Sequence, residues 1–297
     1  VSSAASDVYK RQDLENLSIP FIGEIPQYLS AKKKLGFDKH TQSVMKAIVV
    51  KEGNRNIINE AFRVLRSNID FMAGKDSGQN VFMLTSFNPG SGKSFLAMNI
   101  AMSFAIKKKR ILVIDGDLRH GSTSSYVDSP KTGLSDYLGN RVSDWKEIIV
   151  KDEKYDNLHI IPIGTVPPNP TELLEDGKLA TLIEVLRSEY DYIFIDCPPI
   201  DIVADAQIIE KLADRTVFVV RSGLLDRSML PELENIYQEK RFKNLSVILN
   251  GTESAGGRYG YRYGYRNGYS SYYGNKGKMG GVNGWSSRDR FCMLSFS

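Results

Sequence analysis

Residues 81–94 read VFMLTSFNPGSGKS: an unbroken apolar run, a turn containing two glycines, then a lysine and a serine that open a helix. A run such as VFMLT, with no polar alternation, suits a strand buried on both faces. A strand that turns through glycine into a helix is the setting a phosphate-binding loop requires. Gly90 and Gly92 let backbone N–H groups turn inward around phosphates, and the helix N-terminus adds positive potential. Lys93 is placed to neutralise β- and γ-phosphates, and Ser94 to offer its hydroxyl to Mg²⁺. The expected nucleotide-binding set is therefore Gly90, Ser91, Gly92, Lys93, Ser94 and Phe95. The strict pattern G-x-x-x-x-G-K-[ST] fails only at its first position, where Phe87 stands for glycine.

Working outward, similar apolar runs recur: ILVI (111–114), LHII (158–161), YIFI (192–195), TVFVV (216–220) and SVIL (246–249). Helical stretches over 93–107, 172–188, 203–212 and 227–240 alternate with them. Such alternation predicts an α/β fold, a mostly parallel sheet with helices on both faces, of the P-loop NTPase type. In TVPPNPTELLED (165–176), Asn169 is an expected N-cap, Pro170 the first helical residue and Glu172 the closing member of a capping box. Upstream, RNIINEAFRVLRSNIDFMA (55–73) predicts an amphipathic helix with Phe62, Leu65, Ile69 and Met72 on one side. Residues 13–50 read as a linker leading to a short strand, AIVV (47–50), and regular structure is expected to stop after Gly251. The predicted organisation is a linker over 1–50, an α/β domain over 51–251 and a flexible tail over 252–297.

Two further motifs supply carboxylates where such a fold uses them. ILVIDGDLR (111–119) sets Asp115 and Asp117 just past a buried strand, with Arg119 close behind, and YIFIDCPP (192–199) sets Asp196 at the matching place on another. Ligands of open α/β sheets gather at these carboxyl edges. One such aspartate is often only a helix cap, but three at equivalent strand ends beside a phosphate loop point to a Mg²⁺–nucleotide site. Guanine recognition by an N/T-K-x-D motif is missing, since NGTES (250–254) follows the last run, so adenine is favoured. Cys197 reads as a small packing residue, and the two cysteines have no metal-ligand spacing, which suits a reducing compartment.

Composition is that of a globular protein, 41% hydrophobic and 25% charged. No apolar run approaches the length of a membrane span. The chain begins at Val1 and its first residues lack a signal-peptide core, which reads as a fragment or processed product that leaves an upstream membrane segment open. From Glu253 onward, seven Lys/Arg face two Asp/Glu, so the tail carries +5, while the remainder holds 32 basic and 33 acidic residues. The segment RYGYRYGYRNGYSSYYG (258–274) contains seven tyrosines, Tyr259, Tyr261, Tyr263, Tyr265, Tyr269, Tyr272 and Tyr273, among glycines and arginines. Such a segment cannot build a core. Alone it also suits nucleic acid, through stacking and phosphate contacts; beside a complete nucleotide site, no nucleic-acid partner is expected.

Taken in order, these motifs resemble the bacterial tyrosine kinases that regulate capsule and exopolysaccharide synthesis. The likeness covers residues 17–274 and rests on the Walker A loop ending Gly92-Lys93-Ser94, the second aspartate motif ILVIDGDLR (Walker A′), Walker B IFIDCPP, GTVPPNPTELL, EAFRVLRSNI and the terminal tyrosines. The resemblance implies ATP and Mg²⁺ as cofactors and autophosphorylation of the tail. Lys93 would bind phosphate; Ser94, Asp117 and Asp196 would serve Mg²⁺; Asp115, with Asp117, would accept the tyrosine proton. It further implies that Glu60, Arg63 and Arg66, an E-x-x-R-x-x-R pattern, help assemble a homo-oligomeric ring in which one subunit's tail enters a neighbour's site. IPFIGEIP (19–26) resembles the segment following a transmembrane helix in fused members, which implies a membrane chain-length domain upstream or as a separate activator. A cognate tyrosine phosphatase and a place on the cytoplasmic side of the inner membrane are implied in the same way. Residues 1–12 and those beyond Gly274 do not resemble the family. The runner-up is a partitioning or septum-positioning P-loop ATPase, but the signature lysine of those proteins falls on Asn88 here.

Overall fold

The structure, a computed structural model, describes residues 11–28, 47–74, 78–200 and 204–253. Its strands are β1 (Phe21–Pro26), β2 (Val81–Thr85), β3 (Ile111–Asp115), β4 (Val150–Lys151), β5 (Leu158–Ile161), β6 (Tyr192–Asp196), β7 (Arg215–Arg221) and β8 (Ser246–Thr252). Among the described residues they form one eight-stranded sheet in the order β1-β8-β7-β2-β6-β3-β5-β4. Every pairing is parallel except that of β4 with β5. The helices are α1 (Arg11–Glu15), α2 (Ile57–Ala73), α3 (Lys93–Ala105), α4 (Leu134–Leu138), α5 (Pro170–Glu175), α6 (Lys178–Glu189), α7 (Asp205–Glu210) and α8 (Leu230–Gln238).

The unalternating strand sequences are explained by two cores, one on each face. Val81 and Met83 of β2 and Leu112 and Ile114 of β3 face the core made with α6, α7 and α8. Their neighbours Phe82, Leu84, Ile111 and Val113 face the core made with α2 and α3. There Phe104 of α3 meets Tyr192 of β6 with ring centroids 4.3 Å apart, and Phe82 meets Phe194 at 5.7 Å. Helix α3 is buried almost all round, from Leu96 to Ala105, because α2 covers its outer side. Helix α2 is amphipathic as its sequence requires, with Phe62, Leu65 and Ile69 fully buried and Met72 half-buried.

Several local expectations change. The stretch 13–50 is not simply a linker, since Phe21–Pro26 extends the sheet beyond β8, with Phe21 opposite Val247 and Ile25 opposite Asn250. AIVV is not a strand: Val49 and Val50 are buried, but their N–H groups donate to Asn99 Oδ1 at 2.8 and 3.2 Å, and Asn99 Nδ2 donates to Ala47 O. A side chain of α3 thus satisfies a backbone that no neighbouring strand reaches. The helix expected over 172–188 is two helices, because Gly177 takes φ +81° between α5 and α6. Asn169 does not close a capping box; its amide donates to the Glu172 carboxylate at 2.6 Å instead. The expected helix 227–240 begins as a 3₁₀ turn, Arg227–Met229, before α8. The strand expected to stop at Gly251 runs to Thr252.

Candidate functional site

The strand order brings the carboxyl ends of β2, β3 and β6 together, with β6 between the other two. After β2 the chain turns at Gly90 (φ +74°) and Gly92 (φ +92°) into α3, conformations that a side chain would strain. Space also demands glycine at position 92, where an added Cβ would lie 2.2 Å from Asn250 Nδ2. The loop is held from outside: Asn250 of β8 donates to Ser91 O at 2.8 Å and Arg221 of β7 to Gly90 O at 2.8 Å. The Ser91 hydroxyl donates to Asn88 O at 2.8 Å. Phe87, the departure from the strict motif, is buried edge-on against Phe218, with ring centroids 4.8 Å apart. Phe95 turns its ring to Phe62 of α2, so its own share in the loop is its backbone N–H.

Lys93 is only 8% exposed, and its ammonium donates to Ser86 Oγ at 3.3 Å. Burial lowers its pKa, while the charges of Asp196 and Asp117 act to raise it. Ser94 Oγ donates to Asp196 Oδ2 at 2.5 Å, and Thr123 Oγ1 donates to the same oxygen at 2.7 Å. Asp115 lies opposite Asp196 in the parallel register of β3 and β6. Its Oδ2 accepts from Ser124 N at 2.6 Å and Ser124 Oγ at 2.7 Å. Burial, then the neighbouring charge of Asp196, push the Asp115 carboxyl up to about 8. Burial likewise raises Asp196, against the pull of Lys93. Asp117 stands at the mouth, where its Oδ1 accepts from the N–H groups of Arg119 and His120 at 3.3 Å, and the His120 ring touches it at 3.2 Å. Behind it, Arg119 bonds Asp205 Oδ2 at 3.2 Å and Thr171 Oγ1 at 3.0 Å, tying the β3 loop to α5 and α7.

Two carboxylate oxygens, Asp115 Oδ1 and Asp196 Oδ1, are buried with no hydrogen-bond partner. Buried carboxyl oxygens left without a partner in a dry site fit a cation. Among the described residues there is no ready-made cluster of three or more His, Cys, Asp or Glu side chains for a metal. The chemistry of the residues present is compatible with a cation beside a bound nucleotide.

The sequence-predicted Lys93, Ser94, Asp115, Asp117 and Asp196 converge at one edge of the sheet. Cys197 is buried, as a packing residue is. Sequence reasoning missed Thr123, Asn250 and Arg221, which reach the site across long separations in the chain, and Ser124, which turns back to Asp115 from nine residues further on. Glu60, Arg63 and Arg66 lie away from this edge. Arg63 pairs with Glu60 and donates to Asn54 O, whereas Arg66 leans inward and donates to Ser103 O of α3 at 2.8 Å. The tyrosines Tyr259 to Tyr273 and Cys292 lie outside the described residues.

A parallel sheet with a glycine loop and strand-end aspartates defines a P-loop nucleotide-binding α/β protein. In agreement, the family described as "AAA domain" matches residues 79–224. The chain is 32% identical over 210 residues to the putative tyrosine-protein kinase CapB of Staphylococcus aureus, covering 70% of this chain and 91% of that one. It is 34% identical over 259 residues to a putative tyrosine-protein kinase in the cps region of Klebsiella pneumoniae, covering 84% of this chain but 35% of that longer protein. The solved kinase domain of the Escherichia coli tyrosine kinase ETK matches with a TM-score of 0.72 and 28% identity, over 87% of this chain and 100% of that one. The chain belongs to the bacterial tyrosine-protein kinases of capsule and exopolysaccharide systems. Among the described residues, no helix is long and apolar enough to cross a membrane.

Proposed function

We propose that this chain uses Mg-ATP to phosphorylate the tyrosine cluster of its own tail, in trans within an oligomeric ring, and so regulates capsular or exopolysaccharide synthesis and export. The observation that carries the reading is the meeting of Lys93 and Ser94 with Asp115, Asp117 and Asp196 at one sheet edge, where Ser94 and Asp196 lie 2.5 Å apart. Ser94, Asp117 and Asp196 would hold Mg²⁺, which would supply charge neutralisation to the transferring phosphoryl group. Lys93 adds a buried positive charge on the phosphates, worth more there than in water. The loop N–H groups orient those phosphates, since Asn250 and Arg221 hold the carbonyls of Ser91 and Gly90 from the other side.

Asp115 takes the proton of the attacking tyrosine hydroxyl, assisted by Asp117. A pKa pushed up to about 8 makes Asp115 a stronger base than an ordinary carboxylate. Several tyrosines close together in the sequence offer repeated targets. The ring draws support from α2, where Ile57, Val64 and Phe71 are 64%, 57% and 88% exposed at seven-residue intervals beside the Glu60–Arg66 motif. That stripe would contact the next subunit. A membrane chain-length domain, upstream or separate, would place the ring at the cytoplasmic face of the membrane, and a cognate phosphatase would reset the tail.

The test is incubation of purified protein with Mg-ATP, followed by phosphotyrosine mapping, with Lys93→Met alongside. The reading requires phosphate on Tyr259–Tyr273 in the wild type and none in the variant. An unmodified wild type, with its membrane activator supplied, would end it.

A further inference from the structure

The amino edge of the sheet, opposite the nucleotide loop, carries a second feature. Residues just before β3, β5 and β6, together with β4 and the 3₁₀ turn Trp145–Ile148, line a cleft of about 820 Å³. Its wall includes Lys108, Lys146, Lys151, Lys154, Tyr155 and His159. Arg110 adds a fifth cation but is engaged by Asp191, and the acidic groups on the wall are Asp156 and Glu189. The four lysines are exposed, and none makes an ion pair among the described residues. Two of them lie over aromatic rings, Lys146 at 5.7 Å from Trp145 and Lys154 at 5.2 Å from Tyr155. Inside the wall, Tyr155 Oη and His159 Nε2 are buried with no hydrogen-bond partner, although His159 Nδ1 meets Tyr190 Oη at 2.7 Å.

Outside the tail the chain is nearly neutral, with 32 basic and 33 acidic residues, so a concentration of unpaired lysines around a concave surface is a local departure. Positive potential focused by a cleft attracts a polyanion, and aromatic rings in its wall suit a ligand carrying a ring as well as charge. The chain itself supplies such a ligand. Its tail carries +5 as made, and each phosphotyrosine adds about −1.5 to −2 on an aromatic ring.

We propose that this cleft is a docking site for phosphotyrosine segments of the tail, selective for the phosphorylated over the unmodified form. The inference rests on the kinase reading for its source of phosphotyrosine. The selectivity follows from sign: the unmodified segment is repelled by the lysines, and successive phosphates convert repulsion to attraction. Product is thereby captured at the edge of the sheet farthest from the nucleotide loop, which leaves that loop clear for the next substrate tyrosine.

The test uses full-length Lys93→Met protein and a labelled synthetic peptide of residues 258–274 bearing phosphate on Tyr259, Tyr261 and Tyr263, with fluorescence anisotropy as the readout. Because the peptide is already phosphorylated and the protein inactive, the outcome does not depend on kinase activity. The phosphopeptide is expected to bind at least about tenfold more tightly than the unmodified peptide, weakening as salt rises. Lys146→Glu with Lys151→Glu, both on the surface, should lower that affinity about tenfold or more while the melting temperature holds. Equal binding of the two peptides would overturn the proposal. So would binding that survives the charge reversal, that Mg-ATP displaces, or that a glutamate-substituted peptide of equal charge matches.

Discussion

At the carboxyl end of the sheet, Lys93, Asp115, Asp117 and Asp196 are each no more than 8% exposed, whereas at the amino end Lys108, Lys146, Lys151 and Lys154 stand in water. The buried group holds three acids around one base, and burial drives the pKa of Lys93 down and those of Asp115 and Asp196 up. Each charge there depends on the others, so removing one disturbs all. The exposed lysines keep their hydration, and their shared potential is screened by salt. Substitutions at the two ends should therefore differ in size and in kind.

The largest effect is expected from Lys93→Met, which strips the only base from the buried cluster. Phosphotyrosine formation with Mg-ATP should fall by about 10³-fold or more, measured as initial rate on an exogenous tyrosine peptide. Asp115→Asn should lower the same rate by about 10²-fold yet stabilise the empty protein. The folded carboxyl titrates at about 8 against 3.8 for an ordinary one, so the folded state binds more protons over that interval. Stability attributable to Asp115 is thus present below pH 4 and is lost as pH rises toward 8. In chelator, the variant should melt above wild type at pH 8 and match it near pH 4. A variant that melts lower at pH 8 would mean that the Ser124 hydrogen bonds outweigh burial.

Gly92→Ala should cost about 1–3 kcal/mol in denaturant unfolding, from its φ of +92° and the approach of Asn250. Adding Asn250→Ala opens the space but leaves the backbone strained, so it should restore only part of the loss. The smallest effect belongs to the amino end, where Lys146→Glu with Lys151→Glu should shift unfolding by no more than about 0.5 kcal/mol. A larger loss there would show that the lysines hold up the edge of the sheet and would erase the contrast.

Much of the site was legible because its acids follow runs of buried apolar residues. ILVI before Asp115 and YIFI before Asp196 announce strands by composition, and the residue that ends a parallel strand falls at the carboxyl edge. The glycine loop was legible for the same local reason. Strand β1 was not: Gly23, Glu24 and Pro26 interrupt its apolar pattern, and its partner β8 lies more than two hundred residues away. Nor was the break at Gly177, since LLEDGKLATL keeps helical periodicity across it. Thr123, Ser124, Asn250 and Arg221 carry no local signal at all. Ser124 reaches Asp115 by a local turn after β3, while the other three matter because the strand order carries them to the loop and its aspartates, and pairing order is written in contacts between distant segments.

The bond from Asn250 to Ser91 O spans 159 positions. During synthesis, the loop segment therefore leaves the ribosome long before the side chain that braces it. At about 5–20 residues per second, the delay is roughly ten to thirty seconds. Through that interval a nascent chain owns the residues of a nucleotide site without the brace that shapes it. Readiness comes only with the last strand, just before the tyrosines themselves emerge.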